Sequence, residues 1–283
     1  MSKKTKSKKA KLKRLPIPKL SQPKVLIFDI ETAPILGHVW SLWENNVSLN
    51  QIVQDWHVLS WSAKWLDDSP SKLMYQDQSK APDITNDKKL LQGIWDLLDE
   101  ADIVITQNGK HFDQKKLNAR FVLNKMQPPS SYKHIDTKII ASKHFGFTSN
   151  KLEYMTDKLC VKYKKLKHKE FPGHEMWVEC LAGNQKAWAA MEKYNKYDVL
   201  ALEELYHILI PWDNSINFNL YHDEVDHVCK CGSRTFAKNG FYYTTAGKYQ
   251  KRKCKQCGAE IRDKQNLFSK EKRDSLKISP PRN

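Results

Sequence analysis

Val25-Leu26-Ile27-Phe28-Asp29-Ile30-Glu31-Thr32 is the stretch on which the reading of this chain turns. Five of its residues are large and apolar, as in a strand buried on both faces. Two carboxylates interrupt the run at i and i+2, and in a strand those positions point to one face. Like charges side by side cost free energy unless a cation sits between them. For oxygen ligands alone a divalent metal is the usual cation. The stretch therefore predicts a metal site at the end of a buried strand. The plainer alternative is an edge strand with a solvated Asp and Glu.

Outward from this strand, His57 to Leu66 and Lys72 to Gln76 read as further strands, with a weaker signal at Gly37 to Trp43. Asn86 to Asp99 has helical spacing and a cap at Thr85 or Asn86. Asp102 to Gln107 reads as a buried strand that runs into the turn signal Asn108-Gly109. A helix over 113–125 ends before Pro128-Pro129, and Ile135 to Ile140 is a short strand or a strand-to-helix junction. Leu152 to Leu159 is a short helix. Asn184 to Ile210 is a long one, with Asn184 as its cap and Pro211 as its stop. Strands first, then alternating helices and strands, indicate an α/β domain with a mixed sheet.

Charge divides the chain. The formal net charge is +16 over 283 residues. Residues 1–19 carry nine Lys/Arg and no acid, and residues 229–283 carry fifteen against four acids. The stretch between them is net acidic, with 24 basic and 28 acidic residues. Strongly basic ends attract polyanions, nucleic acid first among them; a solubility tail is the alternative for the first nineteen residues. The N-terminal lysines are not followed by an apolar h-region, and no apolar run reaches membrane-spanning length. The expectation is a cytoplasmic protein, bacterial or in a phage-infected cell, with no membrane partner.

Carboxylates recur where structure alone would not ask for them. After Asp29 and Glu31 comes Asn108-Gly-Lys-His-Phe112-Asp113, directly behind a strand. Tyr194-Asn-Lys-Tyr-Asp198 follows inside the long helix, where Tyr194 and Asp198 share a face. Singly, Asp113 could cap its helix and Asp198 could pair with a neighbour such as Lys193. Together, Asp-x-Glu, Asn-x-x-x-Phe-Asp and Tyr-x-x-x-Asp in this order resemble the DEDD 3′–5′ exonucleases. The tyrosine-type subgroup, found in proofreading domains of family-B DNA polymerases, is the most similar. The resemblance covers roughly residues 24–210, and Asp136-Thr137 and Lys151-Leu152-Glu153 look like the family's intervening segments.

The resemblance implies a ribonuclease H-like fold, a mixed sheet flanked by helices whose central strand carries Asp29 and Glu31. It implies that Asp29, Glu31, Asp113 and Asp198 bind two Mg²⁺ or Mn²⁺ ions. Glu31 and Tyr194 would orient the attacking water, and Asn108 would hold substrate or the geometry of the second motif. Two divalent ions about 4 Å apart supply the nucleophile, charge neutralisation and leaving-group stabilisation that phosphodiester hydrolysis needs. The basic loop Lys162–Lys169 lies between the second and third motifs. Lys164, Lys165 and Lys167 are candidates for the substrate backbone, a solvated loop being the alternative. His111 is read as a satisfied or exposed imidazole, and Trp56, Trp61 and Trp65 as core.

Six cysteines without a secretory signal suggest metal ligation over disulfides. Cys160 and Cys180 read as buried thiols. Cys229-Lys-Cys231-Gly and Cys254-Lys-Gln-Cys257-Gly form two knuckles, a signal for structural Zn²⁺. The stretch from Lys238-Asn-Gly-Phe to Tyr249-Gln-Lys-Arg-Lys-Cys254 resembles the zinc ribbons of transposases and other nucleic-acid-binding proteins. The first knuckle is Cys-x-Cys, not the commoner Cys-x-x-Cys, which leaves His227 open as a substitute ligand. Phe241, Tyr242, Tyr243 and Tyr249 among Lys and Arg suit nucleic-acid contact, a purely structural or protein-binding ribbon being the alternative.

The expected organisation is a disordered basic arm (1–23), the exonuclease domain (24–211), a linker (212–228), the zinc ribbon (229–262) and a disordered charged tail (263–283). The expected function is metal-dependent 3′–5′ exonucleolysis, with DNA ranked before RNA and replication or repair proteins as further partners. The alternatives are a non-catalytic nucleic-acid-binding or regulatory factor and a structure-specific endonuclease.

Overall fold

The quoted stretch forms strand β1 (Val25–Thr32) in the computed structural model, which describes residues 23–43, 45–166, 170–222 and 227–276. The basic arm up to residue 22, Lys167 and the chain end from 277 lie outside the described residues. After β1 come β2 (Leu36–Gly37), β3 (Ile52–Gln54), β4 (Val58–Trp65), β5 (Met74–Asp77) and helix α1 (Lys88–Glu100). Then follow β6 (Ile103–Thr106), α2 (Asp113–Leu123), β7 (Lys133–Asp136), α3 (Thr137–His144), α4 (Leu152–Leu159), α5 (Glu175–Leu181) and α6 (Gln185–Leu209). The C-terminal part holds β8 (Phe236–Thr244), β9 (Gly247–Cys254), β10 (Glu260–Arg262) and α7 (Lys270–Asp274).

Five strands make one mixed sheet in the order β5-β4-β1-β6-β7. β1 pairs antiparallel with β4 and parallel with β6, so it is central, not an edge strand. Alternation then decides its two faces. Leu26, Phe28 and Ile30 pack into a core with Leu91, Ile94 and Leu98 of α1 and Leu117 and Phe121 of α2. Val25 and Ile27 face the opposite core, against Val199, Leu202, Leu205 and Tyr206 of α6. Asp29 and Glu31 share the parity of Val25 and Ile27, so they point to the α6 side. A one-residue slip would bury both carboxylates among the α1 and α2 hydrophobics.

α6 forms because its 25 residues lack Gly and Pro and its N-terminus is capped. The Asn184 side chain accepts from the Lys186 N–H at 3.0 Å, and Pro211 follows the last turn, where it cannot continue the helix. The strand anticipated at Gly37 to Trp43 shrinks to the two residues of β2, because beyond Gly37 no alternate side chains have a core to face. Trp40, Leu42 and Trp43 stand exposed there. Ile135 to Ile140 is a junction: the Asp136 carboxylate accepts from the Lys138 N–H at 3.0 Å and starts α3. Helix α5 has no counterpart in the sequence reading. Within the tail expected to be disordered, Ser269 caps the short α7. Of the three tryptophans read as core, Trp61 is buried and donates to the Leu90 carbonyl at 2.9 Å, whereas Trp56 is half-buried beneath Lys116.

Asp87 is fully buried and accepts from Arg120 Nε and Nη2, both at 2.7 Å, and from the Val58 N–H at 2.9 Å. Removing one partner of such a pair strands the other charge. Arg120→Ala is expected to lower stability by about 3–5 kcal/mol in urea titration, and Asp87→Asn in the Arg120→Ala background to recover part of the loss.

Candidate active site

Asp29 and Glu31 reach the α6 side near the C-terminal end of β1, where they lie opposite Ser62 and Ser60 of β4. Those small hydroxyl residues leave room above the sheet. From α6, Asp198 enters the same space, and one oxygen from each of Asp29, Glu31 and Asp198 lies within 4.8 Å of the others. Asp113 stands beside this group, not inside it. Its Oδ1 accepts from the Ile30 N–H at 3.2 Å, which ties the start of α2 to the strand between the two carboxylates. Tyr194, one turn before Asp198, is buried and meets Trp177 of α5 edge to face at 6.0 Å.

Three supporting contacts are absent from the sequence reading. Asn195 is fully buried; its Nδ2 donates to Asp29 Oδ2 at 2.6 Å, and its Oδ1 accepts from Ser60 at 3.3 Å. An amide inside an apolar helix face beside Tyr194 is the signal that could have found it. Trp177 Nε1 donates to Glu31 Oε2 at 3.0 Å; with 146 residues between them, nothing local announces that contact. Lys165 ion-pairs with Asp198 and lies 4.3 Å from the Tyr194 ring centroid. The partner of Asp198 is therefore Lys165, not Lys193. Lys164 instead reaches Asp157 at the surface.

The turn into α2 is held by Asp136, whose two oxygens accept from the Asn108 and Lys110 N–H groups at 2.9 and 3.2 Å. Asn108 takes a left-handed conformation, φ 67°, which Asn tolerates better than most residues. At Gly109 any Cβ would come within 2.1 Å of Thr106 Oγ1, so the chain there must be glycine. Asn108 thus shapes the second motif, with its Oδ1 accepting from Lys138 at 3.1 Å. Phe112 is partly exposed beside Asp113.

Burial and mutual repulsion dominate the electrostatics. Desolvation pushes Asp29 well above the carboxylate range, and the Asp113, Asp198 and Glu31 charges push it further. Glu31 rises to about 8, first through burial and then through Asp198. Asp113 rises to about 7 by burial, although its backbone hydrogen bonds oppose this. Burial raises Asp198 too, against the pull of Lys165. Among the described residues Asp198 Oδ1 is buried without a hydrogen-bond partner. A hard-oxygen donor set with excess negative charge and an unpartnered buried oxygen fits Mg²⁺ or Mn²⁺.

The four cysteine sulfurs converge from the two knuckles, also within 4.8 Å of one another. Cys229 and Cys257 are 3.5 Å apart, Cys231 and Cys254 3.7 Å. Gly232 and Gly258 adopt φ of 79° and 77°, the left-handed turns that let backbone amides approach the sulfurs. Amides of residues 256 and 257 reach Cys254, and that of 231 reaches Cys229. An all-sulfur tetrad with amide support fits Zn²⁺. His227 turns to Asp263 instead, at 3.3 Å.

A sequence profile described as the RNase_H superfamily matches residues 62–210, just over half of the chain. The chain belongs to the RNase_H superfamily. The matched span contains Asp113, Tyr194 and Asp198 but begins after Asp29 and Glu31. No curated protein matches the sequence. A similar solved structure is the family B DNA polymerase from the hyperthermophilic archaeon Pyrobaculum calidifontis, at 16% identity and a TM-score of 0.49. The similarity covers 67% of this chain and 25% of the polymerase, so the chain spans about a quarter of that protein's length. No helix among the described residues is long and apolar enough to cross a membrane.

Glu31 ordinarily titrates at 4.5 but holds its proton to about 8 in the fold, and Asp113 to about 7. The folded state then binds more protons than the unfolded one in this window, so stability falls as pH rises through it. Without divalent ions, Tm should drop between about pH 5 and about pH 8, and Mg²⁺ or Mn²⁺ should raise Tm more at the upper end. Scanning fluorimetry checks this, and Glu31→Gln should flatten the trend. At the cysteine tetrad, elemental analysis should find one zinc per chain, and Cys254→Ser should lose it.

Proposed function

We propose that this protein is a metal-dependent 3′–5′ exonuclease that hydrolyses phosphodiester bonds of DNA or RNA. The observation that carries the reading is the convergence of Asp29, Glu31 and Asp198 within 4.8 Å, one turn of α6 from Tyr194. Asp113, bonded to the same strand, completes the set of four carboxylates. Membership of the RNase_H superfamily supports nuclease chemistry, and the order of the motifs supports the tyrosine-type form of it.

Asp29, Glu31, Asp113 and Asp198 would hold the divalent ions, which when bound supply an activated water and neutralise charge on the phosphoryl group. The remaining chemistry belongs to the chain. Trp177 and Asn195 fix Glu31 and Asp29 in one rotamer each, so the donor oxygens are preorganised. Burial pushes the Tyr194 phenol above its ordinary range, so it stays a hydrogen-bond donor at neutral pH and can aim a water. Glu31, on the strand facing it, would help orient the same water. Lys165 ion-pairs with Asp198, and its positive charge beside the carboxylates would attract a phosphate. The cysteine tetrad would bind zinc and fold the C-terminal module, an addition that suits attachment to nucleic acid.

A digestion panel tests this: single- and double-stranded DNA and RNA, labelled at the 3′ or 5′ end, with and without Mg²⁺. The expected result is stepwise shortening from the 3′ end that releases nucleoside monophosphates. Asp198→Ala should abolish it, and Tyr194→Phe should slow it by roughly 100-fold or more, the scale of a lost proton-transfer or water-orienting group. Cutting of substrates blocked at both ends would replace this reading with an endonuclease. Binding without any cutting would leave a nucleic-acid-binding factor.

A further inference from the structure

Outside the carboxylate site, the C-terminal module and the segment before it enclose a cleft of about 590 Å³. It shares no residue with the catalytic set. Its floor is apolar, with Phe218 and Ile261. One wall carries Asn214, Asn217 and Asn219. Each amide oxygen accepts from an N–H donor: Asn214 from Lys230 Nζ at 3.0 Å, Asn217 from the Asn219 N–H at 3.1 Å and Asn219 from the Val228 N–H at 2.6 Å. Because each partner is an N–H donor, the amide orientation is determined, and the NH₂ groups are left as donors. No described residue accepts from them.

The lining also takes in Lys251 of β9, Glu260, Ile261 and Arg262 of β10, and Tyr242 of β8. Tyr242 is about half exposed, and the Arg262 guanidinium lies 5.5 Å from its ring centroid and 4.2 Å from that of Tyr249. Lys264 is exposed at the rim, with no ion-pair partner among the described residues. The one acid in the lining, Glu260, is taken by Lys251 at 3.3 Å. The cleft therefore offers donors and positive charge, an aromatic face and an apolar floor. A ligand that complements all three is anionic, rich in acceptors and flat. The volume is that of a small-ligand pocket, too confined for a duplex groove but open to a splayed nucleotide.

We propose that this cleft binds one nucleotide unit of a single-stranded nucleic acid, with the base against Tyr242 and the phosphate against Arg262 and Lys264. The site does not rest on the catalytic reading. The test uses the full-length, zinc-loaded protein in Mg²⁺-free buffer and 5′-fluorescein-labelled 12-mers of DNA and RNA, followed by anisotropy. Tyr242→Ala and Lys264→Glu should each weaken binding of at least one of the two probes about tenfold, whereas Tyr242→Phe should stay within about twofold. Lys264→Glu should also flatten the salt dependence by about one unit of slope. Lys238→Glu makes the same charge change on β8 outside the cleft and should cost much less.

Equal losses from Lys238→Glu and Lys264→Glu would mean diffuse attraction and overturn the site. Wild-type binding by Tyr242→Ala would overturn it too, as would no binding of either probe by the wild type. If Tyr242→Ala loses its zinc, the comparison of Lys264→Glu with Lys238→Glu decides alone. Cleft-dependent binding by a protein that digests nothing would remove only the exonuclease, and digestion without cleft-dependent binding only this site.

Discussion

Two carboxylates on the buried face of a central strand are the constraint around which the fold is arranged. Neither Asp29 nor Glu31 would accept that position for its own sake, because burial and the charge of neighbouring carboxylates, Asp198 and Asp113 among them, push both toward the protonated form. The strand is held by its apolar residues. Leu26, Ile27, Phe28 and Ile30 are nearly or fully buried, and each contributes on the order of 1.5–3 kcal/mol. Pairing with β4 on one side and β6 on the other leaves the register no freedom to relieve the repulsion. The core thus pins in place an electrostatic arrangement that a cation would stabilise.

Helix α6 does the same from the other direction. Val199, Leu202, Leu205 and Tyr206 lock it to the sheet, and the same helix delivers Tyr194, Asn195 and Asp198 over β1. Site geometry and core packing are therefore one problem: a shift of α6 large enough to move Asp198 would also break the contacts of its second half. Asn195 joins the two, since its amide bridges Asp29 on β1 and Ser60 on β4. Trp177 on α5 supplies the last wall and orients Glu31.

The C-terminal module obeys a different economy. Its buried cluster consists of Cys229, Cys254 and Ala259, with Cys231, Phe236 and Cys257 packed around them. So small a core does not offset the conformational entropy of ordering three strands. Ligation at the cysteines is the physical means available for closing that gap. A sheet relieved of core-forming duty can expose its aromatics, and Phe241, Tyr242 and Tyr243 are exposed, with Lys248 and Arg262 laid over their rings.

Much of this was legible in the sequence because it depends on short-range periodicity. A continuous apolar run marked β1, β-rich composition marked β4, the Asn cap and the proline stop marked α6, and i, i+4 spacing put Tyr194 and Asp198 on one helix face. Cysteine spacing marked the tetrad. The missing part is long-range. Lys165 lay in a loop whose lysines all looked alike, and only packing against α6 singled it out for Asp198. Trp177 sat in a helix too short to show a period. Asp136 reached the second motif through backbone amides, which carry no residue signature. By itself the sequence determined which side chains share a face of each strand and helix, since backbone geometry sets that locally. Only the tertiary structure decided which of those faces meet, because that depends on how α5, α6 and the segment 160–166 close over one end of the sheet.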